Sequence, residues 1–191
     1  MIVEPCETLS TNRLVLRWVS LDDASSTSKL MTPAVSRCLA SWPIPFTVDM
    51  AKTLISKLRD LALRGDALPF AITARQDGEL LGWASIVRNP QKSAFASLSF
   101  WLGEAHHGKG YMREIASIIV TVGFKRLCVD IIEAGAQTAN VGSFAVMKAC
   151  GMTPAGERMV YASARARKEL CYFYEVRRPL PPNEWSSQKC P

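Results

Sequence analysis

Apolar and polar residues alternate near the start of the chain, which predicts a β-strand. Leu14, Leu16 and Trp18 fall on one face of the segment 13–19, the pattern of a half-buried strand. Ser20 follows, with Asp23 three residues later. This spacing is typical of a capping box, so we expect a short helix to begin directly after Ser20.

A second helix is predicted between Thr47 and Gly65. Thr47 can accept from a free backbone N–H at the helix start, and Gly65 favours the left-handed turn that ends a helix. The apolar stripe at helical spacing is Ala51, Leu54, Ile55, Leu58 and Leu61. The preceding residues 42–46 contain two prolines, which disfavour a helix there.

The middle of the chain predicts three strands. Segments 70–74 and 80–87 flank Asp77-Gly78, a strong hairpin signal. Segment 94–102 is a third, apolar strand. It is followed by a glycine-containing loop rather than by a hairpin turn.

The second half alternates between helix and strand patterns. A helix follows Gly110, a strand covers 130–136, a helix covers 141–150, and an antiparallel pair covers 160–164 and 170–176. The predicted fold class is therefore α+β, with one mostly antiparallel sheet and helices on its faces.

Length and composition favour one globular domain. The chain has 191 residues, of which 48% are hydrophobic and 21% are charged. We expect one domain over 1–178 and a loose tail, rich in Pro and Ser, over 179–191. No run of about 18 apolar residues suggests a membrane span, and the first eleven residues do not resemble a secretory signal. These features lead us to expect a cytoplasmic protein without a membrane partner.

The cysteines are widely and irregularly spaced. They are Cys6, Cys38, Cys128, Cys150, Cys171 and Cys190. Without an export signal, this spacing favours six reduced thiols over a disulfide framework. No CxxC motif occurs and the histidines are His106 and His107, so we expect no metal site.

The net charge of +6 adds little information about the function of the protein. The positive residues are scattered, whereas a nucleic-acid-binding chain usually concentrates them in blocks. We therefore expect no direct nucleic-acid partner. The sequence leaves a homodimer open.

The segment Gly108-Lys109-Gly110 lies between a predicted strand and a predicted helix. A helix start has unpaired N–H groups and a partial positive charge, and glycines let the backbone curl around a phosphate. The spacing is neither that of a Walker loop nor that of a dinucleotide fingerprint. Taken alone, the segment is more often a simple turn than a binding site.

Two further polar residues follow about 30 positions on. Asn140 stands at a predicted helix start, where it is a natural N-cap. Ser143 lies one turn later, so both side chains project from the same face of the helix. Each residue alone is a weak functional signal.

In combination these motifs resemble the GNAT acyltransferase superfamily, and within it the branch of the ribosomal-protein N-terminal acetyltransferases. The segments that carry the resemblance are 11–17, 39–46, 98–102, 107–111, 124, 133–134, 140–143 and 151–153. They extend over nearly the whole chain, from about Thr11 to Arg178. Their order and spacing are specific, although each motif is degenerate.

The resemblance implies a mixed sheet with a V-shaped cleft that binds acetyl-CoA, and transfer of its acetyl group to a primary amine. The strand end at Phe100, Trp101 and Leu102 would pair with the pantetheine arm. Asn140 would bind the pantetheine or acetyl end, and Ser143 would lie near the thioester sulfur. The loop that would wrap the pyrophosphate consists of His107, Gly108, Lys109, Gly110, Tyr111 and Met112.

The chain departs from the family pattern at three positions. Ala105 occupies a slot that is often Gln or Arg, and Ser97 occupies a slot that is often Glu, the usual candidate base. Met147 replaces a tyrosine that usually protonates the leaving thiolate. Ser143 is therefore our candidate catalytic residue for the leaving group.

Three hypotheses remain open on the sequence. The first is an N-acetyltransferase that acts on a protein N-terminus or a small amine by direct attack in a ternary complex. The second is a non-catalytic acetyl-CoA-binding protein of the same fold, and the third is an unrelated nucleotide-phosphate binder. Glu104 and His106 are candidate bases, while segment 33–46 and the terminal hairpin are expected to set the acceptor.

Overall fold

A computed structural model describes residues 8–179, so the predicted tail lies outside the described residues except for its first position. The strands are β1 (Leu9–Ser10), β2 (Leu14–Trp18), β3 (Ala67–Ala74), β4 (Leu80–Arg88), β5 (Phe95–Leu102), β6 (Ile131–Gln137), β7 (Thr153–Ala162) and β8 (Arg167–Arg177). The helices are α1 (Asp23–Leu30), α2 (Pro33–Ser36), α3 (Val48–Leu63), α4 (Tyr111–Leu127) and α5 (Val141–Ala149). A short 3₁₀ turn, Glu104–His106, precedes α4.

The described strands form one sheet in the order β1-β2-β3-β4-β5-β6-β8-β7. All neighbours are antiparallel except β5 and β6, which are parallel. The predicted α+β class with a mostly antiparallel sheet is confirmed. Pairing between β5 and β6 runs from Phe95 with Ile131 to Ser97 with Glu133 and then stops.

Each face of the sheet carries its own hydrophobic core. Alternating residues of β2, including Leu14 and Leu16, pack against the buried face of α4. On the opposite face, Ile55 of α3 packs with Trp83 and Trp101 of the sheet. A fully buried leucine or isoleucine contributes about 1.5–3 kcal/mol to the free energy of folding, so this burial holds both helix layers against the sheet.

The start of α3 is as predicted, whereas the start of α1 is not. Thr47 accepts a hydrogen bond from the backbone N–H of Met50 at 3.2 Å and caps α3. Helix α1 begins at Asp23 rather than directly after Ser20. Asp23 does accept from the Ser20 N–H at 2.8 Å, and its carboxylate also binds Arg17 bidentately, but residues 21 and 22 form a turn instead of the first helical residues.

Several elements differ from the sequence prediction, which has no counterpart of β1 or α2. The short helix α2 was not predicted, because its single turn, started by Thr32 and Pro33, is too short to show a periodic pattern. Strand β7 begins at Thr153 rather than at Val160. Its first half contains Pro154 and Gly156, where a change of register interrupts the pairing with β8 and hides the strand pattern.

The expectation of six free thiols is wrong, because Cys128 is disulfide-bonded. Cys38, Cys150 and Cys171 are free. Burial raises the pKa of the Cys150 thiol, and burial followed by the charge of Glu169 raises that of Cys171. Both thiols are therefore poor nucleophiles in the folded protein.

Among residues 8–179, no helix is both long enough and apolar enough to cross a bilayer. The same residues contain no cluster of three or more metal-binding side chains.

A close approach of two backbones at Gly82 generates a stability prediction. A Cβ at this position would lie 2.1 Å from the carbonyl oxygen of Trp101, which belongs to the neighbouring strand and cannot rotate away. We expect Gly82→Ala to lower the free energy of unfolding by about 2 kcal/mol or more, as measured by urea denaturation. Gly142→Ala is the matched control, because the atom nearest to the new Cβ lies 3.9 Å away and alanine has a higher helix propensity than glycine. Equal stability of the two variants would contradict the proposed clash.

Candidate active site

The divergence of β5 and β6 opens a cleft in the middle of the sheet, with a volume of about 640 Å³. The C-terminal end of β5 and the loop that follows it form one wall, and α5 forms the other. Segment 35–42, which contains α2, lines the mouth on the opposite face of the sheet. A parallel pair that separates leaves backbone groups of both strands unpaired, which suits binding of an extended ligand.

The structure brings nearly all predicted site residues together in this cleft. Those that line it are Phe100, Trp101, Leu102, His107, Gly108, Gly110, Tyr111, Met112, Asn140 and Ser143. Lys109 is the exception, since it is not a lining residue and its carbonyl oxygen instead accepts a hydrogen bond from Arg13 at 2.9 Å. Arg113, which the sequence analysis did not select, also lines the cleft.

The loop before α4 presents free donors to the cleft. In the described part of the chain, the backbone N–H groups of residues 108–113 have no hydrogen-bond acceptor. Gly108 and Gly110 adopt φ of +72° and +76°, values that L residues rarely take. His107 is held from behind by a 2.8 Å contact between its Nε2 and the carbonyl of Leu102. Several converging donors at a helix start are suited to a phosphate group.

This loop is fastened to the N-terminal strand. The Arg13 guanidinium bonds Glu114 on the first turn of α4 at 2.7 Å and lies 4.7 Å from the centre of the Tyr111 ring. Burial disfavours the charged form of Glu114, but hydrogen bonds from Thr11 and Arg13 outweigh it and lower the pKa of the carboxyl. No local sequence pattern indicates this contact, because its partners lie 101 positions apart.

Asn140 caps α5, as its position at the helix start predicts. Its Oδ1 accepts from the Ser143 N–H at 3.2 Å, which leaves its Nδ2 without a partner among residues 8–179. The Ser143 side chain is half-buried and its hydroxyl makes no hydrogen bond within the same described range. One amide donor and one hydroxyl therefore face the same cleft.

The departures from the family pattern leave little acid–base chemistry in the cleft. Met147 lines it and is 1% exposed, so this position offers no phenol. Ser97 lies beside Glu133 of β6, but that carboxylate is 2.7 Å from the Arg158 guanidinium and does not line the cleft.

The two candidate bases occupy different places. His106 is buried and lines the cleft. Glu104 does not line it and accepts a hydrogen bond from Thr32 at the start of α2 at 3.0 Å. Of the two, only His106 is placed to meet a substrate.

Aromatic side chains line the mouth of the cleft. Trp42 lies with ring centroids 4.7 Å from Phe46, 5.4 Å from Trp83 and 5.3 Å from Trp101. The indole Nε1 atoms of Trp83 and Trp101 are buried without a partner in the described residues. The mouth is thus apolar, with unused N–H donors behind it.

The terminal hairpin fixes the segment that carries this mouth. The Arg165 guanidinium donates to the carbonyls of Ser36 and Leu39 at 3.2 and 3.1 Å and pairs with Glu169 at 2.7 Å. The Arg165 and Arg167 guanidinium groups hold the pKa of the Glu169 carboxyl well below its usual range. This carboxylate also accepts from Gln137 at the end of β6. That segment 33–46 and the terminal hairpin set the acceptor stays a prediction; the structure shows that the two segments are in contact.

Comparison with known proteins assigns the chain to a family. The acetyltransferase (GNAT) domain family matches residues 13–153, and the chain belongs to that family. It is an acetyl-CoA-dependent N-acetyltransferase, which overturns the hypotheses of an unrelated nucleotide binder and of a non-catalytic protein.

Individual relatives agree with this assignment. An uncharacterized N-acetyltransferase, p20, from Bacillus licheniformis is 29% identical over 89% of this chain and 96% of its own length. The fold is similar to that of a ribosomal-protein-S5-alanine acetyltransferase from Vibrio fischeri, with a TM-score of 0.76, 20% identity, and coverage of 94% of this chain and 99% of that one.

A second similar structure contains the coenzyme. The ribosomal L7/L12 α-N-protein acetyltransferase RimL, in complex with coenzyme A, gives a TM-score of 0.77 and 20% identity over 90% of this chain and 98% of that one.

Proposed function

We propose that this enzyme acetylates the α-amine of a peptide or protein N-terminus. The observation that carries the proposal is that no Asp or Glu side chain lines the described cleft, whose basic lining residues are Arg113, His106 and His107. Without a carboxylate, the site cannot compensate the charge of a polyamine or a lysine side chain. An acceptor must enter with its amine already neutral.

The pKa values of amines make this a strong selection. An α-amine has a pKa of about 7.8 and a lysine amine one of about 10.4, so at pH 7.5 the neutral fraction of the α-amine is roughly 250-fold larger. The apolar mouth around Trp42 is consistent with this selection, because desolvation disfavours binding of the charged form of any amine. The α-N-protein acetyltransferase activity named for the similar structure RimL supports the same acceptor class.

Acetyl-CoA would lie along the cleft, within a single domain over residues 1–178. The pantetheine arm would pair with Phe100, Trp101 and Leu102. The free N–H groups of residues 108–113 would hold the pyrophosphate. Asn140 is suited to this placement because its Nδ2 is still available to a ligand carbonyl.

The transfer would proceed by direct attack in a ternary complex. A neutral amine beside a thioester is already reactive, so positioning supplies much of the rate and a strong base is not needed. A backbone N–H near the end of β5 would polarise the thioester carbonyl. The amine nitrogen forms the new bond to the acyl carbon and the C–S bond breaks. The proton that the amine loses passes to solvent, and the Ser143 hydroxyl stabilises the thiolate that leaves.

The cellular setting follows from the acceptor. We place the enzyme in the cytoplasm, where acetyl-CoA meets newly made N-termini. The homodimer left open by the sequence stays a prediction, and no direct contact with nucleic acid is required.

The acceptor class is tested with paired peptides. We expect turnover with a peptide that has a free N-terminus, and at least 100-fold lower kcat/KM with the same peptide blocked at its N-terminus and carrying an internal lysine. Spermidine serves as the polyamine control. With the free peptide, kcat/KM should rise with pH and level off above about pH 8, where the α-amine is neutral. Preference for spermidine or for the lysine peptide would contradict the proposal.

The pyrophosphate site is tested at Gly108, where a new side chain would have nothing within 4 Å. Asp and Asn both tolerate its left-handed backbone and differ in charge. We expect Gly108→Asp to bind CoA about tenfold more weakly than Gly108→Asn by calorimetry, because a like charge near the pyrophosphate is repelled. Gly110 is less suitable, since its Cβ would lie 3.7 Å from the Arg13 guanidinium and a new side chain there would disturb the contact of Arg13 with Glu114. Equal affinities of the two Gly108 variants would move the pyrophosphate elsewhere.

The role of Ser143 is tested by removing its hydroxyl. Alanine keeps the size and loses the donor, so Ser143→Ala should lower turnover on the order of a hundredfold with little change in affinity for CoA. Ser117→Ala, on an exposed face of α4, is the control. Turnover within about twofold of the natural enzyme, with chemistry rate-limiting, would leave Ser143 as packing and assign the acid role to solvent.

A further inference from the structure

Arg13 joins the first long strand to the loop that precedes α4. Its Nη1 donates to the Lys109 carbonyl at 2.9 Å, and its Nε donates to Glu114 Oε2 at 2.7 Å. Its backbone N–H reaches the other oxygen of Glu114 at 3.2 Å, and its guanidinium covers the Tyr111 ring. A planar guanidinium with several fixed donors can hold such partners in one geometry.

The loop has little other support. Gly108 and Gly110 leave the backbone free to adopt many conformations. No side-chain hydrogen bond caps the start of α4. Within residues 8–179, the Gly110 carbonyl accepts the first hydrogen bond of α4, from the Glu114 N–H at 3.1 Å. Beyond that bond, the one from Arg13 to the Lys109 carbonyl is the hydrogen bond that ties residues 108–110 to another element. With that carbonyl held on the Arg13 side, the neighbouring N–H groups remain free for the cleft.

The charge of Arg13 is already compensated. Glu114 lies 2.7 Å from the guanidinium, and the Glu114 side chain is 19% exposed. It also accepts a hydrogen bond from the Thr11 hydroxyl, so it is held on the same side as Arg13. A neutralised guanidinium attracts a phosphate weakly, whereas a rigid pair can still fix the backbone between them.

We propose that Arg13 and Glu114 form a clamp of positioning residues that holds residues 108–110 in the conformation that binds the pyrophosphate of acetyl-CoA. The inference rests on the proposed placement of acetyl-CoA. It assigns a role to the segment Thr11-Asn12-Arg13, which the sequence analysis singled out and the transfer chemistry does not use.

A substitution at Glu114 distinguishes a positioning role of the Arg13–Glu114 pair from a purely electrostatic effect on CoA. Removing a negative charge near the pyrophosphate should strengthen CoA binding if charge alone matters. Removing one partner of the clamp should weaken CoA binding, because the loop must then be ordered at the expense of binding energy. The two views predict opposite signs for Glu114→Gln.

The experiment measures CoA binding to the full chain by calorimetry. We expect Glu114→Gln to bind CoA about tenfold more weakly, since a charge-assisted hydrogen bond is lost. Arg13→Lys keeps the charge but cannot reach Glu114 and the Lys109 carbonyl together, so it should also stay severalfold weaker. Binding of pantetheine, which lacks the pyrophosphate, should change less than twofold in both variants by ligand-observed NMR.

Arg75→Met is the matched control, because Arg75 binds the carbonyl of Thr11 at 3.0 Å but does not contact the loop. Its CoA affinity should equal that of the natural chain. Unchanged or tighter CoA binding by Glu114→Gln, or full affinity in Arg13→Lys, would overturn the clamp. Equal losses for CoA and pantetheine would also overturn it, since they would indicate general destabilisation, which thermal melting would show.

A wrong placement of the acetyl-CoA pyrophosphate would give a different experimental result from a wrong role of the clamp. If Gly108→Asp and Gly108→Asn bind CoA equally, the pyrophosphate does not lie at this loop and the clamp is overturned with it. If the two Gly108 variants differ and Glu114→Gln binds normally, the placement stands and the clamp alone is wrong.

Discussion

The end of pairing between β5 and β6 is the constraint on which the rest of the structure depends. These strands are the one parallel pair among the described strands, and their hydrogen bonding stops at Ser97 and Glu133. Every group of the candidate site lies beyond that point. If the strands stayed paired, the sheet would close and neither α4 nor α5 could present its start to a common cleft. The fold thus gives up backbone hydrogen bonds and leaves them to a ligand.

The cleft separates two tasks by its chemistry. Its inner part offers backbone and amide donors at helix starts, which suit an anionic, extended cosubstrate. Its mouth is aromatic and contains no described carboxylate. Such a mouth accepts a neutral amine and excludes a fixed cation, so acceptor choice depends on the amine's own pKa rather than on an ion pair with the enzyme.

Paired charges in this protein stabilise loops rather than supply reactive groups. Arg17 with Asp23 joins β2 to the first residue of α1, Arg13 with Glu114 fastens the loop before α4, and Arg165 with Glu169 fastens the hairpin to segment 36–39. In each case an arginine uses several donors at once and also bonds a backbone carbonyl. The groups that would meet substrate are mostly neutral, which is consistent with a reaction driven by positioning.

Much of this was predictable from the sequence, because it depends on local periodicity and capping. A few neighbouring residues are enough to predict the local structure in three places: the alternation at Leu14–Trp18, the Thr47 cap and the Gly-Lys-Gly segment before a helix. The order of these motifs also identified the family and most lining residues. Tertiary structure alone decided which carboxylates stay out of the cleft, that Lys109 turns its carbonyl to Arg13, and that Arg165 reaches α2. These contacts join residues about 100 or more positions apart, and no local pattern encodes them because their geometry exists only once the sheet is assembled.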